Sequence, residues 1–288
     1  MQQDVTTFDV FHKIGRELLC AQLRNLDSLI HDLAPSPSEG QIIEVAPGLR
    51  AQIWMLQGIG VSLNSVLRLT DTRDMSIRDC FGIARSVAET AVNVAFLAVS
   101  DRSVIEKAIR HLRQKRWRDL SRSGRIGASI VTIKRQIDVE ISDLSGLEEA
   151  LAEFTSKRGG EVRDWTRETI DDRIKAIETK SAGSGALLAG AIFTIYRPSS
   201  EILHGSLYGV NYFWQGSLAE PITSTEAFDR LWISEHFVTI LSTLVFASSG
   251  AIQAVATVHK HRSHIEKQKS VLALLREYAE NLSSTLGD

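Results

Sequence analysis

Cysteine is scarce: Cys20 and Cys80 are the only two among 288 residues. Both fall within helix-like apolar patterns, which points to a reduced, cytoplasmic protein with buried thiols. No Cys/His spacing resembles a zinc site, and the first residues lack the basic-then-apolar order of a secretory signal. Charge of one sign is lacking too. The formal net charge is −2, so no global field draws the chain to nucleic acid or anionic lipid, and any such site must be local. Several catalytic signatures are missing: a Gly-rich phosphate loop, His-Glu-x-x-His, Gly-x-Ser-x-Gly and the paired Glu-x-x-His of di-metal bundles. ATPase, zinc hydrolase and di-iron oxidase chemistries are thereby disfavoured, and no metal or cofactor is expected. Strand signals are few, Asn-Gly turns are absent, and neither internal repeats nor long low-complexity linkers occur.

What remains is apolar periodicity at helical spacing nearly throughout, which predicts an all-α, multi-helix bundle with long antiparallel helices. A first helix is expected over Thr7 to Leu33, stopped by Pro35 and Pro37. Others follow from Pro47, a first-turn proline, to Leu69, from Ser76 to Val99, and from Val104 to Leu120. Arg125 to Trp165 reads as irregular apart from a helix near Leu144 to Phe154. Ile170 to Lys180 and Ala186 to Tyr196 are expected helices, the second bent or restarted by Pro198, and Gly205 to Thr223 is expected to loop over a polar cluster. Long helices from Ser224 to His261 and from Ser263 to Ser283 close the chain. The predicted organisation is an N-terminal helix over 1–34, a helical core over 45–260 and a C-terminal helix over 261–288.

Phe237 to Val258 runs 22 residues without a charge, long enough to cross a bilayer. Its Thr239, Ser242, Thr243, Ser249, Gly250, Gln253 and Thr257 form a small, polar stripe at three- and four-residue steps. Such a stripe suits close packing in a core. It equally suits a membrane helix flanked by His259, Lys260, His261 and Arg262, so a membrane-associated effector stays open beside the core helix.

Two polar clusters interrupt the apolar helices. Arg85, Glu89 and Asn93 stack at four-residue steps, where the first two can pair. Tyr196, Ser200 and His204 repeat that step, with Arg197 beside them and Gly205 allowing close approach. Burial of such groups needs partners or a task. They serve either as a structural network that sets helix register or as a site, since histidine titrates near neutral pH and moves protons readily.

The order Arg85-x3-Glu89, then Trp165, then Tyr196-x3-Ser200-x3-His204-Gly205 before a long apolar helix resembles the bacterial domain-of-unknown-function family numbered 5677. The resemblance spans roughly Leu49 to Val258 and carries no activity with it. Arg197-x6-His204 is similar, more loosely, to the HEPN helical bundles, many of which are metal-independent ribonucleases of toxin–antitoxin and phage-defence systems. That similarity implies a homodimer with its site at the dimer interface. It also implies His204 as acid/base, Arg197 or Arg85 as phosphate clamp, Ser200 as orienting donor, and Glu89 as the holder of Arg85, with Tyr196 in the same cluster. Pro198 departs from the polar residue usual after the arginine.

An RNA reading calls for a local basic surface. Arg102 to Arg135 supplies one through Arg110, Arg113, Lys115, Arg116 and Arg118, with Trp117 interleaved for stacking. Ile105, Ile109, Leu112 and Leu120 give the same helix an apolar face, so those charges also fit a plain solvated surface. The alternative to an RNA-cleaving enzyme is a non-catalytic helical module with a protein partner.

Overall fold

The computed structural model describes residues 7–34, 45–134, 144–216 and 222–286. It is all-α with one small hairpin: α1 (Thr7–Leu33), α2 (Pro47–Leu69), α3 (Ile77–Val99), α4 (Arg102–Leu120), β1 (Ser121–Ile126), β2 (Ser129–Lys134), α5 (Leu147–Glu153), α6 (Ile170–Lys180), α7 (Ser184–His204), α8 (Leu207–Gln215), α9 (Thr225–Leu231), α10 (Val238–Val258) and α11 (Arg262–Leu286). Pro35 and Pro37, the expected stops of α1, lie outside the described residues. Two compact units emerge, one of Met1–Val99 with Ile170–Asp288 and one of Ser100–Thr169.

In the larger unit α3, α7 and α10 pack against one another, with α1 and α2 as a pair and α11 laid on α1 and α10. Helix α10 is apolar nearly all round because it is nearly all buried. Its small, polar stripe is a helix contact. A Cβ on Gly250 would stand 2.7 Å from Leu188 Cγ and 3.1 Å from the Ser184 carbonyl oxygen of α7. Beside it, Gln253 donates to the Ala182 carbonyl at 2.7 Å, and Ser181 donates to Thr257 at 3.1 Å. On the side of α1 and α11, the Gln22 amide nitrogen lies within 2.9 Å of Ser248 Oγ and 2.8 Å of Gln268 Oε1 in a fully buried network. Cys80 is buried and desolvation pushes its thiol up to about 12, whereas Cys20 is only half-buried, contrary to expectation. Ile77–Val99 and Thr225–Val258 are each long and apolar enough to cross a membrane, and 56% and 72% of those apolar stretches are buried inside the protein.

Three local expectations are corrected. Helix α7 does not break at Pro198 but runs through it. The proline costs one backbone bond to Thr194, yet Ile195, Ser199 and Ile202 are buried on its inner side, and that packing holds the helix continuous. Leu207–Gln215 is a helix rather than a loop: Gly205 ends α7 in a left-handed conformation (φ 63°), and Ser206 caps α8 by accepting from the Gly209 N–H at 3.0 Å. In the smaller unit β1 and β2 pair antiparallel around a two-residue turn, Gly127-Ala128, where no strand was expected.

The joint between α9 and α10 is a π-helical turn, Trp232–Phe237, a wide geometry that needs a buried reason. Trp232 is fully buried and donates from its indole to the Asp74 carbonyl at 2.9 Å. His236 is also fully buried, stacked flat on Phe213 and bonded through Nε2 to the Phe213 carbonyl at 2.8 Å. Its Nδ1 has no partner, so a proton there would bury an unpaired charge. Burial accordingly holds His236 below the ordinary histidine value, and does the same for His12 and His259. The unfolded chain then takes up protons first as pH falls through about 6.5. Stability is expected to be level between about pH 7 and 8 and to decline below about 6.5, read as a melting temperature that falls as pH is lowered from about 7. A His236→Gln variant should flatten the decline, and a melting temperature that rose on acidification would contradict it.

Candidate functional site

The site is built where the two halves of the sequence pattern meet. Helix α7 starts because Glu178 of α6 accepts from the N–H groups of Gly183 (2.8 Å) and Ala186 (3.2 Å), which hold its carboxylate below the usual range. It runs along α3, with Leu203 packed over Gly82 and Arg78 donating to the Ile202 carbonyl at 3.2 Å. That pairing brings Arg85 to Tyr196. The Arg85 guanidinium carbon sits 4.4 Å from the Tyr196 ring centroid, while its Nε bonds to Glu89 Oε1 at 2.9 Å. One turn further along α3, Asn93 accepts from Arg173 of α6.

These groups are not a buried ring, as the sequence suggested, but a surface cluster. The Arg85 and Glu89 side chains are 22% and 41% exposed, so their ion pair contributes no more than about 1 kcal/mol. Tyr196, Arg197 and His204 are exposed and Ser200 is half-buried. The buried hydroxyl in this part of α7 is instead that of Ser199, which donates to the Tyr196 carbonyl at 3.1 Å.

Because α7 is unbroken, Arg197 and His204 lie on one face: seven residues advance two turns less about 20°, a rise of about 10 Å. Arg197 stacks on Tyr208 of α8, with its guanidinium carbon 5.5 Å from the ring centroid. The sequence reading missed Tyr208, and nothing in the chain's spacing marks it, because it reaches Arg197 from a separate helix. Gly209 makes that seating possible: a Cβ there would stand 2.3 Å from the Glu201 carbonyl oxygen. Ser206 also donates to Glu201 Oε2 at 2.5 Å. Around the charged groups stand exposed Phe193 (88%), Leu207 (86%), Leu203 and Val210.

In the smaller unit the five expected RNA-contacting cations divide in two. Arg110 pairs with Glu153 at 2.7 Å, Lys115 pairs with Glu161, and Arg118 donates to Thr155 at 2.8 Å. Those three fasten α4 to the segment around α5. Arg113 and Arg116 are exposed and have no ion-pair or hydrogen-bond partner among the described residues. The histidines near 260 are spent on packing, His259 on Gln52 at 2.9 Å and His264 on Asp32 at 2.7 Å. Among the described residues no cluster of three His, Cys, Asp or Glu could hold a metal ion.

These features define a class of protein, a helical bundle with a polar, aromatic cluster between its third and seventh helices. The chain belongs to the Family of unknown function (DUF5677), whose model matches residues 55–218. That match covers the Arg85–Glu89 and Tyr196–His204 clusters and is shorter than the expected span at both ends. No curated protein and no solved structure matches the chain.

Proposed function

We propose that this chain is a HEPN-like, metal-independent endoribonuclease of bacterial stress or phage defence, acting in the cytoplasm as a homodimer. The observation that carries the reading is the shared, solvent-facing side of α7 that presents Arg197 and His204 two turns apart. In the proposed reaction His204 takes the proton of a ribose 2′-hydroxyl as that oxygen attacks phosphorus. The bond from phosphorus to the 5′ oxygen breaks, and a proton returned by an imidazole leaves on that oxygen. Arg197 neutralises charge on the phosphate. Tyr208 steadies its guanidinium, Glu89 and Tyr196 hold Arg85 as the second cation, and Ser200 orients the phosphate as a donor. The products are a 2′,3′-cyclic phosphate and a 5′-hydroxyl. Exposed Phe193, Leu203 and Leu207 suit the homodimer, because a second copy covering them would add its own arginine and histidine.

The same exposed apolar residues favour a second reading, a non-catalytic module that docks a protein partner through α7. Induction in bacteria separates the two: wild type should degrade total RNA and arrest growth, and Arg197→Ala at equal protein level should do neither. Intact RNA in both cultures would favour the module. Carbonate washing of the same cells should release the protein from membranes, and retention would favour the membrane-associated effector.

A further inference from the structure

In the smaller unit a cavity of about 840 Å³ opens beside α4, within the range of small-ligand pockets. Its walls are not random surface. Arg113, Arg116, Trp117 and Leu120 follow the i, i+3, i+4, i+7 spacing of one helix face, and the hairpin contributes Arg122 and Ile133. Arg122 is compensated by Asp119 at 3.2 Å. Arg113 and Arg116 have no acid or other polar partner among the described residues, although acids of the same unit engage Arg110 and Lys115 on another side of α4. The cavity therefore combines two guanidinium forks, unpaired among the described residues and about one helical turn apart, with an indole beside them on the same face and aliphatic walls.

The geometry points to a binding site for one nucleotide of single-stranded RNA, its phosphate held by Arg113 and Arg116 and its base stacked on Trp117. Arginine forks match phosphate oxygens in pairs. An aromatic face accepts any base, which gives affinity with little sequence preference. Lysine-rich solvated surfaces offer neither the fork nor the stacking plane, and a chain with net charge −2 has no background field to supply the attraction. This assignment rests on the reading of RNA as the substrate and adds where the strand is gripped. It also replaces the five-cation track with Arg113 and Arg116, because Arg110, Lys115 and Arg118 are committed to packing.

The test is fluorescence anisotropy of a labelled, short oligoadenylate RNA with the full chain in EDTA, on a His204→Ala background so that binding is read without cleavage. Salt is varied between ~50 and ~200 mM. Arg113→Ala/Arg116→Ala should weaken binding and lower the slope of log affinity against log salt by about 0.7, the one phosphate that the two forks share. Trp117→Leu should weaken binding about 5- to 100-fold with the slope unchanged. Arg158→Ala, an exposed cation of the same unit outside the cavity, should do nothing. The two arginines are exposed and make no hydrogen bond or ion pair among the described residues, and Arg113 only lies over Gly146, so melting of the double variant should stay close to the parent. Equal affinity in parent and cavity variants overturns the assignment, as does binding of ADP without binding of RNA, which would make the cavity a free-nucleotide site. RNA gripped through Arg113 and Arg116 by a wild-type chain that cuts nothing would overturn cleavage and leave the cavity assignment standing.

Discussion

Replacing His204 with alanine should lower RNA cleavage by at least ~10²-fold, the usual contribution of a positioned acid or base, while moving the melting temperature hardly at all. The two halves of that expectation come from different facts. His204 is the last residue of α7, exposed, and no hydrogen bond engages its ring among the described residues, so the fold loses no packing and no partner. Surface substitutions of that kind stay within about 0.5 kcal/mol. The proposed chemistry, by contrast, has no other histidine on the solvent face of α7. Arg197→Lys is the informative companion: it keeps the charge but loses the planar fork and much of the stacking on Tyr208, so activity should fall with stability changed by less than about 1 kcal/mol. A His204→Ala protein that melted much lower, with any cleavage unchanged, would make the residue structural.

Gly250→Val should destabilise the fold far more than any substitution on the exposed face of α7. Gly250 lies buried in α10 against α7, and its added Cβ would meet Leu188 Cγ at 2.7 Å and the Ser184 backbone oxygen at 3.1 Å. Leu188 is fully buried and has no free side to swing to, and a helix backbone cannot yield locally. Overpacking of this kind costs about 1–3 kcal/mol, and the branched side chain places valine at the upper end. In larger domains each kcal/mol lowers the melting temperature by about 2–4 °C. Gly250→Ala should cost less, because a mid-helix alanine recovers up to about 1 kcal/mol of helix propensity. Any outward shift of α7 also carries Tyr196 away from Arg85, so activity should fall along with stability. Thermal melts of the two variants check this, and a valine variant melting with wild type would contradict the close α7–α10 contact.

Much of this fold was legible because helical periodicity is a strong signal and its ends are chemically marked. Pro47 opens α2, and the stripe through Gly250 announced close packing. The failures have physical reasons. Pro198 followed the general rule for a break, but the inward residues Ile195, Ser199 and Ile202 outweigh one lost backbone bond. The hairpin had a signal after all in the β-branched run Ile130 to Ile133 behind Gly127, which takes the positive φ of 60° that a tight turn requires. Asn-Gly is the stronger mark of such a turn, and Gly127-Ala128 does not carry it.

Burial was the larger error. Helix α7 is apolar on both sides, which reads as a core helix, yet Phe193, Leu203 and the charged groups face solvent while Leu188 and Ile195 face the core. The pairing of Arg85 with Glu89 was readable from their four-residue spacing. Which of the basic residues of α4 are free was not, because it depends on Glu153 and Glu161, more than thirty residues away in the chain.

The central claim is tested most directly by incubating purified wild-type protein with single-stranded RNA in EDTA and determining the chemistry of the new ends. The account predicts fragments bearing 2′,3′-cyclic phosphates and 5′-hydroxyls, formed by wild type and absent with His204→Ala. RNA left intact by well-folded wild type, or cut equally by both proteins, would contradict it.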